Sequence, residues 1–383
     1  MTRFPLQEFR DLATPFYFYD LNLLERTLAE IKRTARDDRF KVHYAVKANA
    51  NPGILRRIQG AGLGVDAVSG GEIRAALEAG FKSSDIVFAG VGKTDAEIIM
   101  ALEEGIGCFN VESSAELMVI DEIASGMGRK ATVALRVNPD IDAHTHEYIT
   151  TGLAENKFGI NIDRLDSVIE LAQSLPSVEL TGLHFHIGSQ ITESEPFVML
   201  CEVINRLQDE LEKKGINLTL INVGGGLGVD YADPDRHPIP DFESYFKTFR
   251  NHLHLRQGQQ VHFELGRSVV AQCGSLITRV LYVKEGSSKR FAIVDAGMTD
   301  LIRPALYNAH HKIENLSSPE GELHHYDVVG PICESSDVFG TGEMLPAIRR
   351  GDFLALRSAG AYGEIMASQY NCRPLPSSYL YGK

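Results

Sequence analysis

No stretch of this chain is apolar for long enough to cross a bilayer as a helix. Its first residues, Met1-Thr2-Arg3-Phe4-Pro5, lack the apolar core of a secretory signal. Cysteine is sparse: Cys108, Cys201, Cys273, Cys333 and Cys372 are odd in number, widely scattered and never spaced Cys-x-x-Cys. That argues against a disulfide framework and against a structural zinc site. Positive charge is in deficit, with 38 Lys and Arg against 51 Asp and Glu. The formal net charge of -13 disfavours nucleic acid and anionic membranes as partners. Most of that acidity reads as solvated helix face. Low-complexity tracts are absent, and no repeat exceeds a strand–helix unit. What is left is ordinary for a globular chain, 44% hydrophobic and 23% charged. At 383 residues it has room for one large domain and a smaller one. The expected location is the cytoplasm, with reduced thiols.

From about residue 25 to 265, strand-like runs alternate with amphipathic helical stretches. Strands are expected at 41–47, 64–68, 85–89, 106–110, 131–137, 180–186, 218–223 and 261–265. Gly71-Glu72-Ile73-Arg74-Ala75-Ala76-Leu77-Glu78-Ala79-Gly80 reads as a helix closing on glycine, and 94–102 as another. The first four strands recur roughly every twenty residues, the period of a short βα unit. Eight such units with right-handed crossovers predict a (β/α)₈ barrel over 25–265. An open doubly wound sheet is the competing architecture, disfavoured because nearly every strand carries polar chemistry at its C-terminal end. After residue 266 the strands 276–284, 290–295, 326–330 and 352–357 are separated by turn residues, not strong helices. Residues 266–383, with 1–24, are therefore expected to form a smaller, mostly antiparallel β domain. Within 1–24, the strand-like run 14–20 could join either domain.

Barrel enzymes carry their chemistry at the strands' C-terminal face. Lys47 closes the first expected strand, before the turn Ala48-Asn49-Ala50-Asn51-Pro52. A lysine there has a buried stem and an amine placed to form a Schiff base with a carbonyl cofactor. Alone, it reads more readily as a snorkelling surface lysine; the polar groups and glycines at the later strand ends change that. Gly224-Gly225-Gly226 follows the seventh strand, where backbone N–H groups can approach a phosphate with no Cβ in the way. A tight turn is the plainer explanation of such a run. His184 and His186 point to one face of the sixth strand. His184, one layer deeper, is expected to be a satisfied core histidine. His186 at the mouth can lay its ring on a planar ligand, and Ser189 adds a hydroxyl. Glu264, at the end of the eighth strand, is costly to bury without a cation opposite. Either Arg267 or a protonated heteroaromatic nitrogen would serve. Asp66 raises the same question. An amine, a stacking ring, phosphate donors and an anion at successive strand ends are what pyridoxal 5'-phosphate needs.

The chain also resembles the fold-type III, alanine-racemase-like pyridoxal phosphate decarboxylases, and among them the diaminopimelate decarboxylase branch. The likeness covers nearly the whole sequence. It rests on Thr14-Pro15-Phe16-Tyr17-Phe18-Tyr19-Asp20, Tyr44-Ala45-Val46-Lys47-Ala48-Asn49, His186-Ile187-Gly188-Ser189-Gln190 and Glu264-Leu265-Gly266-Arg267. More specific are His146-Glu147-Tyr148-Ile149-Thr150-Thr151-Gly152-Leu153, Asp295-Ala296-Gly297-Met298, Leu301-Ile302-Arg303-Pro304-Ala305-Leu306-Tyr307 and Gly330-Pro331-Ile332-Cys333-Glu334-Ser335-Ser336-Asp337.

The resemblance implies decarboxylation of meso-2,6-diaminopimelate to L-lysine and carbon dioxide. It assigns Lys47 to the cofactor's aldehyde, His186 to its ring and Glu264 to its pyridine nitrogen. Gly224, Gly225, Gly226, Ser189, Gly266, Arg267 and Tyr362 fall to the phosphate, with Asp66 also at the cofactor. Arg267, Arg303, Tyr307, Glu334 and Tyr362 fall to the substrate. Cys333 becomes the proton donor, supplied from the partner subunit of a homodimer that shares its active sites. Cys333 is the only cysteine expected in a turn and not in a helix or strand. Arg303 offers a planar fork that suits a remote carboxylate. Two rival functions stand beside this one. One is the same chemistry on ornithine, arginine or a carboxylated polyamine. The other is a catalytically silent regulatory homologue, which the presence of Lys47 and Cys333 argues against. Asp142, His144 and His146 suggest a mobile loop over the mouth, or less readily a metal site.

Overall fold

The computed structural model describes residues 4–141 and 157–382. Asp142, His144, His146 and the motif that follows lie outside them. The chain divides into two compact units: Leu28–Gly228 with Asp241–Gly266, and Met1–Thr27 with Val229–Pro240 and Arg267–Lys383.

In chain order, strand β1 (Phe16–Asp20) belongs to the second unit. The first unit holds β2 (Phe40–Ala45), β3 (Gly64–Ala67), β4 (Ile86–Phe88), β5 (Cys108–Val111) and β6 (Ala131–Asn138). It continues with a short β7 (Ile160–Asn161), then β8 (Val178–His184), β9 (Leu220–Asn222) and β10 (Gln260–Leu265). The strands run β5-β4-β3-β2-β10-β9-β8-β6, every neighbour parallel, and pairing of β5 with β6 closes the ring. Closure decides against an open sheet. The extra strand, β7, pairs only along the end of β6.

Local chemistry sets the crossover helices. Thr94 and Glu97 form a reciprocal capping box at the start of Asp95–Glu104, and Gly105 ends it at φ +67°. Ser69 caps Gly70–Glu78 by accepting from the Glu72 N–H. Helix Phe242–His252 turns its aromatic face onto β2 and β10: Phe246 meets Phe263 with ring centroids 5.0 Å apart, and Phe40 meets Phe263 at 4.9 Å. Phe263 thus faces the helices, so its neighbours His262 and Glu264 face the barrel interior. Strand spacing is set at Gly182, where an added Cβ would lie 2.3 Å from the Leu220 carbonyl oxygen.

The second unit carries β11 (Gly274–Glu285), β12 (Arg290–Val294), β13 (Ile313–Asn315), β14 (Leu323–Val329), β15 (Val338–Pro346), β16 (Phe353–Leu356) and β17 (Ser377–Tyr381). Its order is β13-β16-β11-β12-β14-β15, with β1 beside β11 and β17. The β1–β17 and β12–β14 pairs are parallel and the rest antiparallel. The sequence pattern did not anticipate β13, β15 or β17. Phe16 and Phe18 of β1 join Phe9, Ile277, Phe353 and Ala355 in an apolar cluster, which places the N-terminal strand in this unit. No helix among the described residues is long and apolar enough to cross a membrane.

Gly182→Ala should destabilise the chain by about 1–3 kcal/mol, because a backbone carbonyl cannot yield to the new methyl. Denaturant unfolding checks this, and an unchanged midpoint would show that β8 and β9 can move apart.

Candidate active site

Strand β2 ends at Ala45, and Lys47 lies on the following single turn Val46–Ala48. The expected strand is cut short because helix-start chemistry begins at once. The Asn49 N–H closes the turn on the Val46 carbonyl, the Asn51 side chain accepts from Gly53, and Pro52 opens the next helix. Half-buried Lys47 brings Nζ to 3.9 Å from Asp66 Oδ2. Asp66 is buried, and neither carboxyl oxygen has a hydrogen-bond partner among the described residues. Burial, then the charge of Glu264, pushes this carboxyl well above its ordinary range, with Lys47 opposing. Asp66 therefore holds its proton where an exposed carboxyl would not.

Glu264 has the opposite state. Asn110 Nδ2 and Asn222 Nδ2 donate to its Oε1 at 3.0 and 2.6 Å, and His184 Nε2 donates to Oε2 at 3.0 Å. Burial opposes ionisation, but His184, Lys47 and Asn222 outweigh it and hold the carboxyl below its usual range. His184 is thus no bystander of the core: it is one of three groups that hold Glu264 in place. Asn110 and Asn222 were missed in the sequence. Their signal was an asparagine inside an apolar strand, Cys108-Phe109-Asn110-Val111 and Leu220-Ile221-Asn222.

Behind Glu264 the glycine run is forced by space as well as by any anion. A Cβ on Gly225 would sit 2.0 Å from the Glu264 carbonyl oxygen, and Gly224 has φ +70°. The Gly224 N–H is spent on Asn222 Oδ1 at 2.9 Å, and the Gly225 N–H approaches His186 Nδ1 at 3.4 Å. The Ser189 loop is zipped to this run: the Ile191 N–H donates to the Gly226 carbonyl and the Gly228 N–H to that of Ile191, both at 2.9 Å. Burial and then the Lys47 charge keep the His186 imidazole neutral, as a stacking ring requires. Gly266 directly follows β10.

In the second unit, two buried arginines surround Tyr231. Arg267 Nη1 donates to the Tyr231 hydroxyl at 2.6 Å, and its guanidinium carbon lies 5.0 Å from the Tyr362 ring. Arg303 sits 5.3 Å from the Tyr231 ring and donates from Nε to His311 Nε2 at 3.3 Å. Tyr307 ends the short helix Arg303–Tyr307. Tyr362 has φ +56°, the left-handed region that a bulky residue enters only when its surroundings hold it there. Exposed Cys333 and Glu334 lie on a loop pinned by Asp337, whose carboxylate accepts from Ile332 N–H and Met298 N–H, each at 2.6 Å. That one side chain ties together two of the motifs that carry the family resemblance. The Cys333 N–H donates to Asn371 Oδ1 at 3.0 Å, and the Tyr370 hydroxyl to Glu334 Oε1 at 2.7 Å. Cys333 is not the only cysteine in a turn, since Cys372 is also exposed on the turn Tyr370–Cys372.

An ionised carboxylate held rigid inside a barrel suits a ligand with a protonated ring nitrogen. A lysine on the next mouth turn suits an aldehyde, and a protonated Asp66 with no hydrogen bond among the described residues leaves a donor for a further polar atom. Pyridoxal phosphate meets each of these demands, so the barrel fits the cofactor of the pyridoxal-phosphate enzymes. Residues 21–271 match the family described as pyridoxal-dependent decarboxylase, pyridoxal binding domain. The diaminopimelate decarboxylase of Bacteroides thetaiotaomicron is 60% identical over 98% of this chain and 97% of its own length. That of Vibrio cholerae is 45% identical over 94% of this chain and 86% of its own. Among solved structures, the Helicobacter pylori diaminopimelate decarboxylase in complex with L-lysine superposes with a TM-score of 0.93. It is 41% identical, over 98% of this chain and 94% of that one. The chain belongs to the pyridoxal-dependent decarboxylases, in their diaminopimelate decarboxylase branch.

Because the Asp66 carboxyl is raised in the fold, it binds a proton that the unfolded chain releases. Its stabilising effect is complete below the ordinary carboxylate range and is lost as pH rises toward the raised value. Asp66→Asn should remove that loss, flattening the decline in stability from mildly acidic pH upward. Unfolding midpoints of both proteins across that range check it; parallel curves would mean Asp66 is charged in the fold.

Proposed function

We propose that the chain decarboxylates meso-2,6-diaminopimelate to L-lysine, as a cytoplasmic homodimer with shared active sites. The observation that carries the substrate assignment is Arg303, a buried planar cation with an unshielded end. A substrate keeping a second carboxylate, remote from the one it loses, needs such a fork; a diamine precursor would want an acid there. The relatives named above support the same reading.

When bound, pyridoxal phosphate supplies the electron sink for the pair left at the substrate's α-carbon. The residues do the rest. The Lys47 amine would hold the cofactor through its aldehyde. Asp66 keeps a proton next to that amine. Glu264, charged and immobilised, keeps the ring nitrogen protonated, since opposite charges in a dry site each favour the other's charged form. Neutral His186 covers the ring face. Ser189, Gly224, Gly225, Gly226, Gly266, Arg267 and Tyr362 hold the phosphate end. Arg303 takes the remote carboxylate, with Arg267, Tyr307, Glu334 and Tyr362 around the substrate. Cys333 of the second protomer returns a proton to the α-carbon after carbon dioxide leaves. The barrel unit, Leu28–Gly228 with Asp241–Gly266, is on this reading the cofactor domain, and the other unit, which takes Val229–Pro240 out of the expected 25–265 stretch, carries the substrate and dimer contacts.

Carbon dioxide release should be seen with meso-diaminopimelate and not with ornithine or arginine, measured in parallel with added pyridoxal phosphate. Release from a diamine precursor would overturn the substrate assignment while keeping the chemistry. Cys333→Ala should keep cofactor binding, judged by its bound absorbance, and lose roughly 10²-fold or more in lysine formation. Wild-type turnover in that variant would remove the thiol from proton return.

A further inference from the structure

Arg303 can act as a fork only if something fixes which of its edges is open. His311 is fully buried, and its Nδ1 lies 2.8 Å from the Arg357 carbonyl oxygen. A carbonyl only accepts, so Nδ1 carries the ring proton. The Arg303 Nε–H only donates, so His311 Nε2 must offer its lone pair at 3.3 Å. The imidazole is therefore neutral in one tautomer, and burial, then the charge of Arg303, keeps it so down to about 3. With Nε occupied, the side-on edge of the guanidinium is closed. The two Nη groups have no hydrogen bond among the described residues, although Arg303 is only 6% exposed.

Tyr231 fixes the plane. Its ring lies 5.3 Å from the Arg303 guanidinium carbon and meets the His311 ring edge-on at 5.1 Å and 81°. Tyr231 belongs to Val229–Pro240, and that segment is held by Asp235, which accepts from Arg357 Nη2 at 3.1 Å and Nη1 at 3.3 Å. The same Arg357 supplies the carbonyl that orients His311. One buried arginine therefore secures both supports of Arg303.

We infer that His311, with Tyr231, is a positioning residue that makes the site selective for substrates with a carboxylate remote from the reacting carbon, by presenting Arg303 end-on through its two Nη groups. This rests on the reading that Arg303 meets that carboxylate. Two properties follow: His311 acts through binding and not through the chemical step, and only a side chain with adjacent donor and acceptor can replace it. Glutamine has both, whereas phenylalanine fills the space with neither.

The test uses holoenzyme carrying His311→Phe or His311→Gln. Two measurements are made: KM and kcat for meso-diaminopimelate, and the affinity for pimelate, a dicarboxylate with no amino group, by calorimetry. His311→Phe should raise KM and the pimelate Kd by about tenfold or more, the loss expected for a misplaced charged hydrogen bond. Its kcat should stay within a few-fold, and His311→Gln should recover most of both binding losses. Unchanged KM and Kd in His311→Phe, no recovery in His311→Gln, or no pimelate binding by the wild type would each overturn the inference. If His311→Phe does not fold, Tyr231→Leu carries the same comparison, and unchanged values there overturn it equally. A wild type that binds pimelate His311-dependently but does not release carbon dioxide would defeat the decarboxylation reading and leave this one standing.

Discussion

Keeping a carboxylate charged in the middle of a barrel costs several kcal/mol of lost hydration, and the first unit is arranged to meet that cost at Glu264. Three donors reach it from three strands: Asn110 from β5, His184 from the end of β8 and Asn222 from the end of β9. They can meet only because parity aims each residue inward and because the ring is closed, bringing β5 round from the far side of the strand order. The glycine run follows from the same demand. Gly225 must lack a side chain because the Glu264 backbone passes within 2.0 Å of its Cβ position, and the Gly224 N–H orients the asparagine that orients the glutamate. What reads in sequence as a phosphate loop is thus also part of the support for the charge beneath it.

Placing one carboxylate as a fixed charge decides the state of the other. Two buried carboxyls in one low-dielectric mouth do not both ionise. Glu264 has the donors, so it takes the charge; Asp66 has none, so it keeps the proton, directly beside Lys47. The barrel therefore keeps an anion on one carboxyl and a proton on the other, which is the distribution an amine exchange needs. His43 and His262 further down the interior are driven the same way: burial lowers both, and both stay neutral.

The architecture was legible because a βα repeat leaves period and punctuation in the chain. Each expected barrel strand exists, although boundaries moved where a cap or turn overrode the apolar run, as at Ala45. The cofactor could be read from residues whose type is itself unusual at a strand end: a lysine, a histidine, a glycine run and a glutamate. Groups that work by supporting those residues left weaker traces. His184 looked like core because its parity and apolar neighbours are those of core. His311 and Tyr231 carry no periodic signal, and their meaning depends on hydrogen bonds between segments far apart in sequence. Tyr231 was further obscured because Val229–Pro240 falls within the barrel's stretch of sequence yet belongs to the other unit. Strands β13, β15 and β17 were missed because a half-exposed antiparallel strand with polar residues on one face resembles loop.

One rule connects these groups. Where a polar side chain must hold its state without help, the fold satisfies it: Glu264 has three donors, and His311 uses both ring nitrogens. Where a side chain must receive something, the fold withholds partners after fixing its position. Among the described residues Asp66 is buried with no hydrogen bond, and Arg303 is held by Nε alone while both Nη groups remain open. A buried polar group left unpaired costs stability, typically one to a few kcal/mol, about what its ligand can return on binding. Other buried polar atoms of the described residues are unpaired too, including the Tyr245 hydroxyl and Arg357 Nε. Asp66 and Arg303 are therefore informative because their open atoms stand beside Lys47 and at the end of a fixed guanidinium fork.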